Sequence, residues 1–316
     1  MKSSPNEGFR PPLAVITGAA NGLGLQASHQ LAGLGFDLLL VDRNVAAGET
    51  AKASLQREHP ARAIVFSALD LSDQAAISTW TKAFRPPRVD VLLNNAGLFP
   101  SFSRRHNAQN CELGLAVGFY GHYALTAGLL PQLLAAESPR VVTVSSIAHA
   151  SGRLNPADPL LTQDYDANRA YSACKLACLL FAWELQAQAR LHNSHLLSLA
   201  AHPGISRTSI GQYHDNPASH WRHHVISWAT HIAMRFLGQE ADQGARSLVH
   251  AATASALGGG EFIGPGGLFQ FKGAPTVVAP RNRTLARHDA KAIWRMAEEV
   301  TGLTFEWDAA AMRNCA

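Results

Sequence analysis

Six short apolar runs, each followed by a longer stretch of different pattern, set the strongest limit on what this chain can fold into. Leu13–Thr17, Asp37–Val41, Ala63–Ala68, Val89–Leu93, Arg140–Val144 and His195–Ala200 have the length and composition of buried strands. Gly22–Leu34, Val45–Glu58, Asp73–Phe84, Cys111–Ala136 and Tyr171–Arg190 carry helical patterns between them. Strands apolar on both faces must be covered on both, and an intervening helix supplies the crossover between parallel neighbours. The pattern predicts an α/β fold, a Rossmann-type doubly wound parallel sheet. No internal repeat or low-complexity linker divides the chain. Residues 13–316 therefore read as one domain behind a polar, disordered tail at 1–12.

The 316 residues are 47% hydrophobic and 16% charged, which suits a globular protein with a sizeable core. The net charge of +4 is mild, and no lysine/arginine run tracks a phosphate backbone, which argues against nucleic-acid binding. No stretch is apolar enough for a membrane span, and the tail lacks a signal-peptide core. Cys111, Cys174, Cys178 and Cys315 show no paired metal spacing and read as reduced thiols of a cytoplasmic protein.

Two segments interrupt the alternation, and both begin at the carboxyl end of a strand, where open α/β sheets bind ligands. Ala148–Arg169 is a long loop rich in Pro, Asp and Asn. Residues 205–239 form an insertion containing Trp221, Trp228 and Phe236, read as a small helical substrate-binding lobe with an apolar wall for a lipophilic small molecule. His214, His220, His223, His224 and His231 also fall there. No carboxylate or cysteine completes a ligand set, so no metal is expected.

The first strand runs directly into Gly18–Ala19–Ala20–Asn21–Gly22–Leu23–Gly24 and then a helix. Glycines let the backbone turn tightly beside a pyrophosphate, and the helix N-terminus presents N–H groups to it. Asp42 closes the second strand, 24 residues beyond Gly18, close to the spacing at which a carboxylate reaches the adenosine ribose. Its charge repels a 2′-phosphate and favours NAD(H); the adjacent Arg43 could pair with that phosphate, which leaves NADP(H) open. An Asp at that position is also a candidate cap for the following helix.

Tyr171 and Lys175 stand four apart on one helix face. Phenols are poor acids and bases near neutrality, with a reference pKa of about 10, and a fixed positive charge nearby favours the phenolate. Such a pair suits general acid–base work on a carbonyl or alcohol.

Taken in order, Thr17–Gly18-x-x-x-Gly22-x-Gly24, Asp70, Asn94–Asn95–Ala96–Gly97, Ser145–Ser146, Tyr171-x-x-x-Lys175 and Pro203–Gly204-x-x-x-Thr208 resemble the short-chain dehydrogenase/reductase family. The long gap between Ser146 and Tyr171, together with Val144–His149, His202–Pro203–Gly204 and Ile293–Trp294…Thr301–Gly302, resembles its branch of retinol dehydrogenases, protochlorophyllide reductase and WW-domain oxidoreductases. The resemblance implies hydride transfer between nicotinamide and an alcohol or carbonyl. Tyr171 would be the acid or base, Lys175 its electrostatic support and nicotinamide-ribose contact, and Ser146, rather than Ser145, the anchor of the substrate oxygen. It implies a cofactor site of Gly18, Asn21, Gly22, Leu23, Gly24, Asp42, Arg43, Asp70, Leu71, Asn94, Ala96, Gly97, Pro203, Gly204 and Thr208, joined by Tyr171 and Lys175. Asp70 would meet the adenine, Asn94 would lie in the loop beside the cofactor, and Thr208 would meet the carboxamide. A homodimer or homotetramer through the helices carrying Gly118 and Tyr171 is also implied. Some relatives reduce C=C or C=N bonds, so that alternative stays open.

One departure stands out. Gly118 occupies the place of the family's usual helical asparagine, in Val117–Gly118–Phe119–Tyr120–Gly121–His122–Tyr123. Glycine keeps the irregular backbone there but supplies no side chain for a proton relay. This motivates a third reading, a low-turnover cofactor sensor or scaffold. Cys174, where a serine commonly precedes the lysine, reads as a small buried residue.

Overall fold

In β1 (Leu13–Thr17), Ala14 and Ile16 face one helical layer and Val15 the other, which is why consecutive positions of the strand are apolar. The computed structural model describes residues 11–99, 101, 103–205, 240–281 and 287–307. The chain continues through α1 (Gly22–Gly33), β2 (Asp37–Asp42), α2 (Val45–Glu58), β3 (Ile64–Ala68), α3 (Gln74–Ala83) and β4 (Val91–Asn94). Then follow α4 (Leu113–Leu115), α5 (His122–Gly128), α6 (Leu130–Leu134), β5 (Arg140–Val144), α7 (Ala167–Leu191) and β6 (Leu197–Ala201). The described chain closes with α8 (Ala241–Thr253), β7 (Phe262–Pro265), β8 (Pro275–Val277) and α9 (Arg287–Thr301).

The strands form one eight-stranded sheet in the order β3-β2-β1-β4-β5-β6-β7-β8, parallel except for the β7–β8 pair. Leu23, Ala27 and Leu31 of α1, Ala51 and Leu55 of α2, and Leu248 of α8 cover one face. Ile77 of α3 with Tyr123, Phe181 and Trp294 of α5, α7 and α9 covers the other. The winding reverses between β1 and β4, which opens a crevice at their carboxyl ends. Among the described residues no helix is long and apolar enough to cross a membrane.

The six expected strands and the doubly wound fold are present. The helix expected over Cys111–Ala136 is not continuous. After α4, Ala116–Gly121 forms a π-helical turn, α5 follows, and α6 starts afresh with a proline in its first turn. The break has a steric cause: a Cβ on Gly121 would lie 2.3 Å from the Leu71 carbonyl oxygen, so backbone passes where a side chain would stand. Pro131 removes a donor and stops propagation from α5. Helix α7 starts earlier than expected, at Ala167, because Asp166 caps it by accepting from the Arg169 N–H at 2.8 Å. Ile147–Ser151, assigned to the loop, is a 3₁₀ turn.

The helices expected at a subunit interface also carry part of the core. Phe119, Tyr120, Tyr123 and Phe181 on these elements are fully buried within the chain. Trp294 of α9 stacks on Phe181 at 5.9 Å and meets Tyr123 edge-on at 5.2 Å. Phe305 packs on both Tyr123 and Trp294. The chain's own C-terminal segment thus packs on these apolar side chains. Most of the insertion, 206–239, lies outside the described residues, as do its histidines and Thr208, the tail at 1–10 and Cys315.

Candidate active site

The Thr17 hydroxyl joins the two strands flanking the crevice. It accepts from the N–H groups of Asn95 at 2.9 Å and Ala96 at 3.0 Å, which fills both lone pairs. Its proton then points outward, to His122 Nε2 at 2.8 Å or the longer contact with the Leu93 carbonyl at 3.2 Å. His122 Nδ1 lies 3.0 Å from the Gly118 carbonyl, which can only accept, so the ring is an Nδ1–H tautomer. Burial holds its pKa down at about 4, and it stays neutral. One hydroxyl thereby ties β1 to the loop after β4 and to the π-helical turn. Thr17 and His122 were present in quoted motifs, but spacing gave no sign of this junction.

Around it sits the glycine loop. Gly18 has φ +64°, and a Cβ there would lie 2.9 Å from the Ala96 Cα. Gly24 packs so closely that a Cβ would be 2.2 Å from the Gly18 carbonyl oxygen. The Asn21 side chain makes no cap hydrogen bond, so the first-turn N–H groups of α1, including those of Gly22 and Leu23, have no side-chain acceptor from it. Asp42 Oδ2 accepts from the Ala20 N–H at 3.2 Å, which brings the carboxylate against the loop. Asn44, not Asp42, caps α2. Arg43 is exposed. An uncapped helix end beside a carboxylate fits a dinucleotide, with its phosphates at the former and its ribose at the latter.

Asp70 Oδ1 accepts from the N–H and hydroxyl of Ser72, at 2.8 and 2.7 Å, and Leu71 is buried beside it. Asn94, expected in the loop, is instead the last residue of β4. It is buried, and its Nδ2 donates to Thr126 Oγ1 at 3.0 Å. The neighbouring Asn95 serves the loop, with Nδ2 donating to the carbonyls of Thr17 at 2.8 Å and Gly18 at 3.2 Å. Asn–Asn repeats offer no sequence signal for which member turns inward.

Lys175 projects from α7 to the ends of β4 and β5. Its Nζ donates to the Val144 carbonyl at 3.0 Å, and a Cβ on Gly97 would be 3.4 Å from it. The Tyr171 ring lies under the ammonium, 5.9 Å from Nζ to centroid, with Phe99 4.9 Å away on the ring. Burial disfavours the ammonium, but Cys178, Tyr171 and Cys174 outweigh it and hold the Lys175 pKa above the ordinary value. Lys175 is therefore a fixed positive charge.

The two serines differ. Ser145 is fully buried and its hydroxyl donates to the Lys175 carbonyl at 2.7 Å, which fastens β5 to α7. Ser146 is only partly buried, and its Oγ accepts from the Ala148 N–H at 3.2 Å, leaving its proton to be donated elsewhere. Just beyond, His149 holds the Ser146 carbonyl through Nδ1 at 2.6 Å and accepts from the Arg281 N–H at 3.3 Å. His202 accepts from the Gly204 N–H at 3.2 Å and faces Gln270 Oε1 at 3.1 Å. Both rings pack on Phe262. Burial lowers the pKa of both, to about 4 for His202. Gly204, φ +70°, sits where a Cβ would be 2.3 Å from the Phe271 carbonyl oxygen, so the Pro203–Gly204 turn is held against the lobe after β7.

Comparison with known proteins supplies independent findings. The short chain dehydrogenase profile matches residues 12–217. Human retinol dehydrogenase 12 is 30% identical over 93% of this chain and 87% of its own length. Human polyprenol dehydrogenase is 27% identical over 92% of this chain and 85% of its own. A crystal structure of an uncharacterised protein from Mycobacterium Paratuberculosis is 32% identical, with a TM-score of 0.73 over 93% of this chain and 94% of that one.

Proposed function

The chain belongs to the short chain dehydrogenase family, in its retinol dehydrogenase-like branch, and on that footing we propose that it interconverts a lipophilic alcohol and its carbonyl, with Tyr171 as the acid–base residue. It is an NAD(P)-dependent dehydrogenase/reductase. The observation that carries the mechanistic reading is the buried Lys175 ammonium over the Tyr171 ring at the carboxyl ends of β4 and β5.

The bound nicotinamide supplies or accepts the hydride. The chain's own residues handle the oxygen and its proton. In reduction Tyr171 gives its phenolic proton to the carbonyl oxygen, and Lys175 stabilises the negative charge left on the phenol oxygen. In oxidation the proton moves the other way. Ser146 donates to the same substrate oxygen as charge builds, which is worth more in a water-poor site than in solvent. The glycine loop and the α1 terminus would hold the phosphates, Asp42 the adenosine ribose, and Asp70 and Leu71 the adenine. Ala96, Gly97, Pro203 and Gly204 would border the nicotinamide half. Asp42 against the loop supports NAD(H) over NADP(H), while the exposed Arg43 beside it could still meet a 2′-phosphate.

The lipophilic class rests on the retinol and polyprenol relatives. The sensor reading keeps one support: Gly118 contributes no side chain to a proton path. A screen of lipophilic aldehydes, ketones and alcohols, retinoid and polyprenoid members included, with NADH/NAD⁺ and NADPH/NADP⁺ tests the proposal. Turnover confined to long apolar substrates is expected. Binding of both cofactors without turnover of any member would favour the sensor.

A further inference from the structure

Far from this site, the structure brings together His29 of α1, Glu58 at the end of α2 and His59, the residue that caps α2. One ligand atom from each lies within 4.8 Å of the others. His29 Nδ1 is 3.0 Å from Glu58 Oε2, and the two imidazole rings are 6.2 Å apart between centroids. We propose that these three side chains bind one divalent transition-metal ion of the zinc class, which staples α1 to the end of α2.

Chemistry and geometry both support this. Two imidazoles and one carboxylate form a recurrent ligand set for zinc, with bonds of about 2.0–2.2 Å and room for a water in the fourth position. Tetrahedral bonds of that length hold ligand atoms about 3.3–3.5 Å apart. The His29–Glu58 pair, at 3.0 Å, is slightly closer than that, and side-chain rotation would bring all three ligand atoms to the spacing.

The backbone is held ready for the ion. His59 N–H bonds to the Leu55 carbonyl at 2.8 Å, and Arg62 N–H to the His59 carbonyl at 3.0 Å. Arg62 also donates through Nη1 to the Gly35 carbonyl at 2.7 Å, which ties the turn after α2 to the turn after α1. Gly33 leaves room for the His59 ring: even a Cβ there would stand 3.8 Å from Cε1. The His29–Glu58 pair alone would explain two residues. It makes no use of the second imidazole, whose ligand atom lies within 4.8 Å of both others. The Glu58 side chain is 54% exposed and that of His29 22%, so an ion has access.

The site is independent of the proposed hydride chemistry, so neither reading depends on the other. The test uses tag-free full-length protein, ZnCl₂ titrated calorimetrically, and thermal unfolding with and without the metal. Wild type should take up one equivalent that His29→Ala and His59→Ala each weaken at least tenfold, with the zinc-induced rise in Tm lost in both. Glu58→Gln, which keeps the shape, should weaken the same equivalent. Variants compared in EDTA separate metal loss from misfolding. Unchanged stoichiometry, affinity and Tm shift in both histidine variants, or no zinc uptake by wild type, would overturn the proposal.

Discussion

A Cβ placed on Gly118 would come 2.7 Å from the Sγ of Cys174. The thiol, on the residue before the proposed catalytic lysine, fills the space a side chain on the π-helical turn would take. It contacts the Gly114 carbonyl at 3.4 Å, and Cys178 reaches the Gly118 carbonyl at 3.2 Å. Hydrogen bonding to Cys178 and burial push the Cys174 thiol well above its ordinary pKa, so it packs as a neutral group.

Gly118→Asn alone should therefore destabilise the fold, by about 1–3 kcal/mol, as overpacking does. Adding Cys174→Ala should recover much of that loss. Urea unfolding of the two single variants and the double variant measures the coupling. Strict additivity would show that the two sites do not compete for space.

Trp294→Ala should cost about 3–5 kcal/mol, because it empties a site packed on Phe181, Tyr123 and Phe305. It should also bare an apolar face that α9 now covers. Chemical denaturation gives the first quantity, and light scattering across a concentration series gives the second. Wild type should show no association through α5 and α7. A wild-type dimer whose interface crosslinks map to Phe119 or Phe181 would contradict the covering role.

Acid should weaken the fold before the carboxylates titrate. His122 and His202 are held near pKa 4 by burial, below the ordinary histidine value of 6.5. Between those values the unfolded chain binds protons that the folded chain refuses, so stability falls as pH drops from 6.5 towards 4. The slope should approach 1.4 kcal/mol per pH unit for each histidine. Unfolding midpoints that stay level across the upper half of that window would refute it.

Asp42→Asn should raise the affinity for NADPH relative to NADH by about tenfold or more, since it removes a negative charge from the ribose end. Parallel fluorescence titrations report the ratio. An unchanged ratio would give Arg43 control of cofactor choice.

The sheet was legible because several strands hold consecutive apolar residues, as in Leu38–Leu39–Leu40–Val41, a pattern that a two-sided core explains. The glycine loop and the Tyr171–Lys175 pair were legible because each needs particular residues at fixed spacing. What escaped depends on distant partners. Gly121 breaks its helix because of the Leu71 backbone, and Trp294 packs on Phe181 of α7 from a segment distant in sequence. Similarly, β7 and β8 are four- and three-residue strands among glycines and prolines, too short for periodicity to register. Ser145 and Ser146 are told apart by the Lys175 carbonyl, which no local pattern encodes.

The most direct test of the central claim is to compare wild type with Tyr171→Phe in cofactor binding and in turnover of the best lipophilic alcohol from the screen. The account predicts that the preferred nicotinamide cofactor still binds, while kcat falls by about 10²–10⁴-fold, the range for losing a general acid–base. Turnover at the wild-type rate, with cofactor still bound, would contradict it.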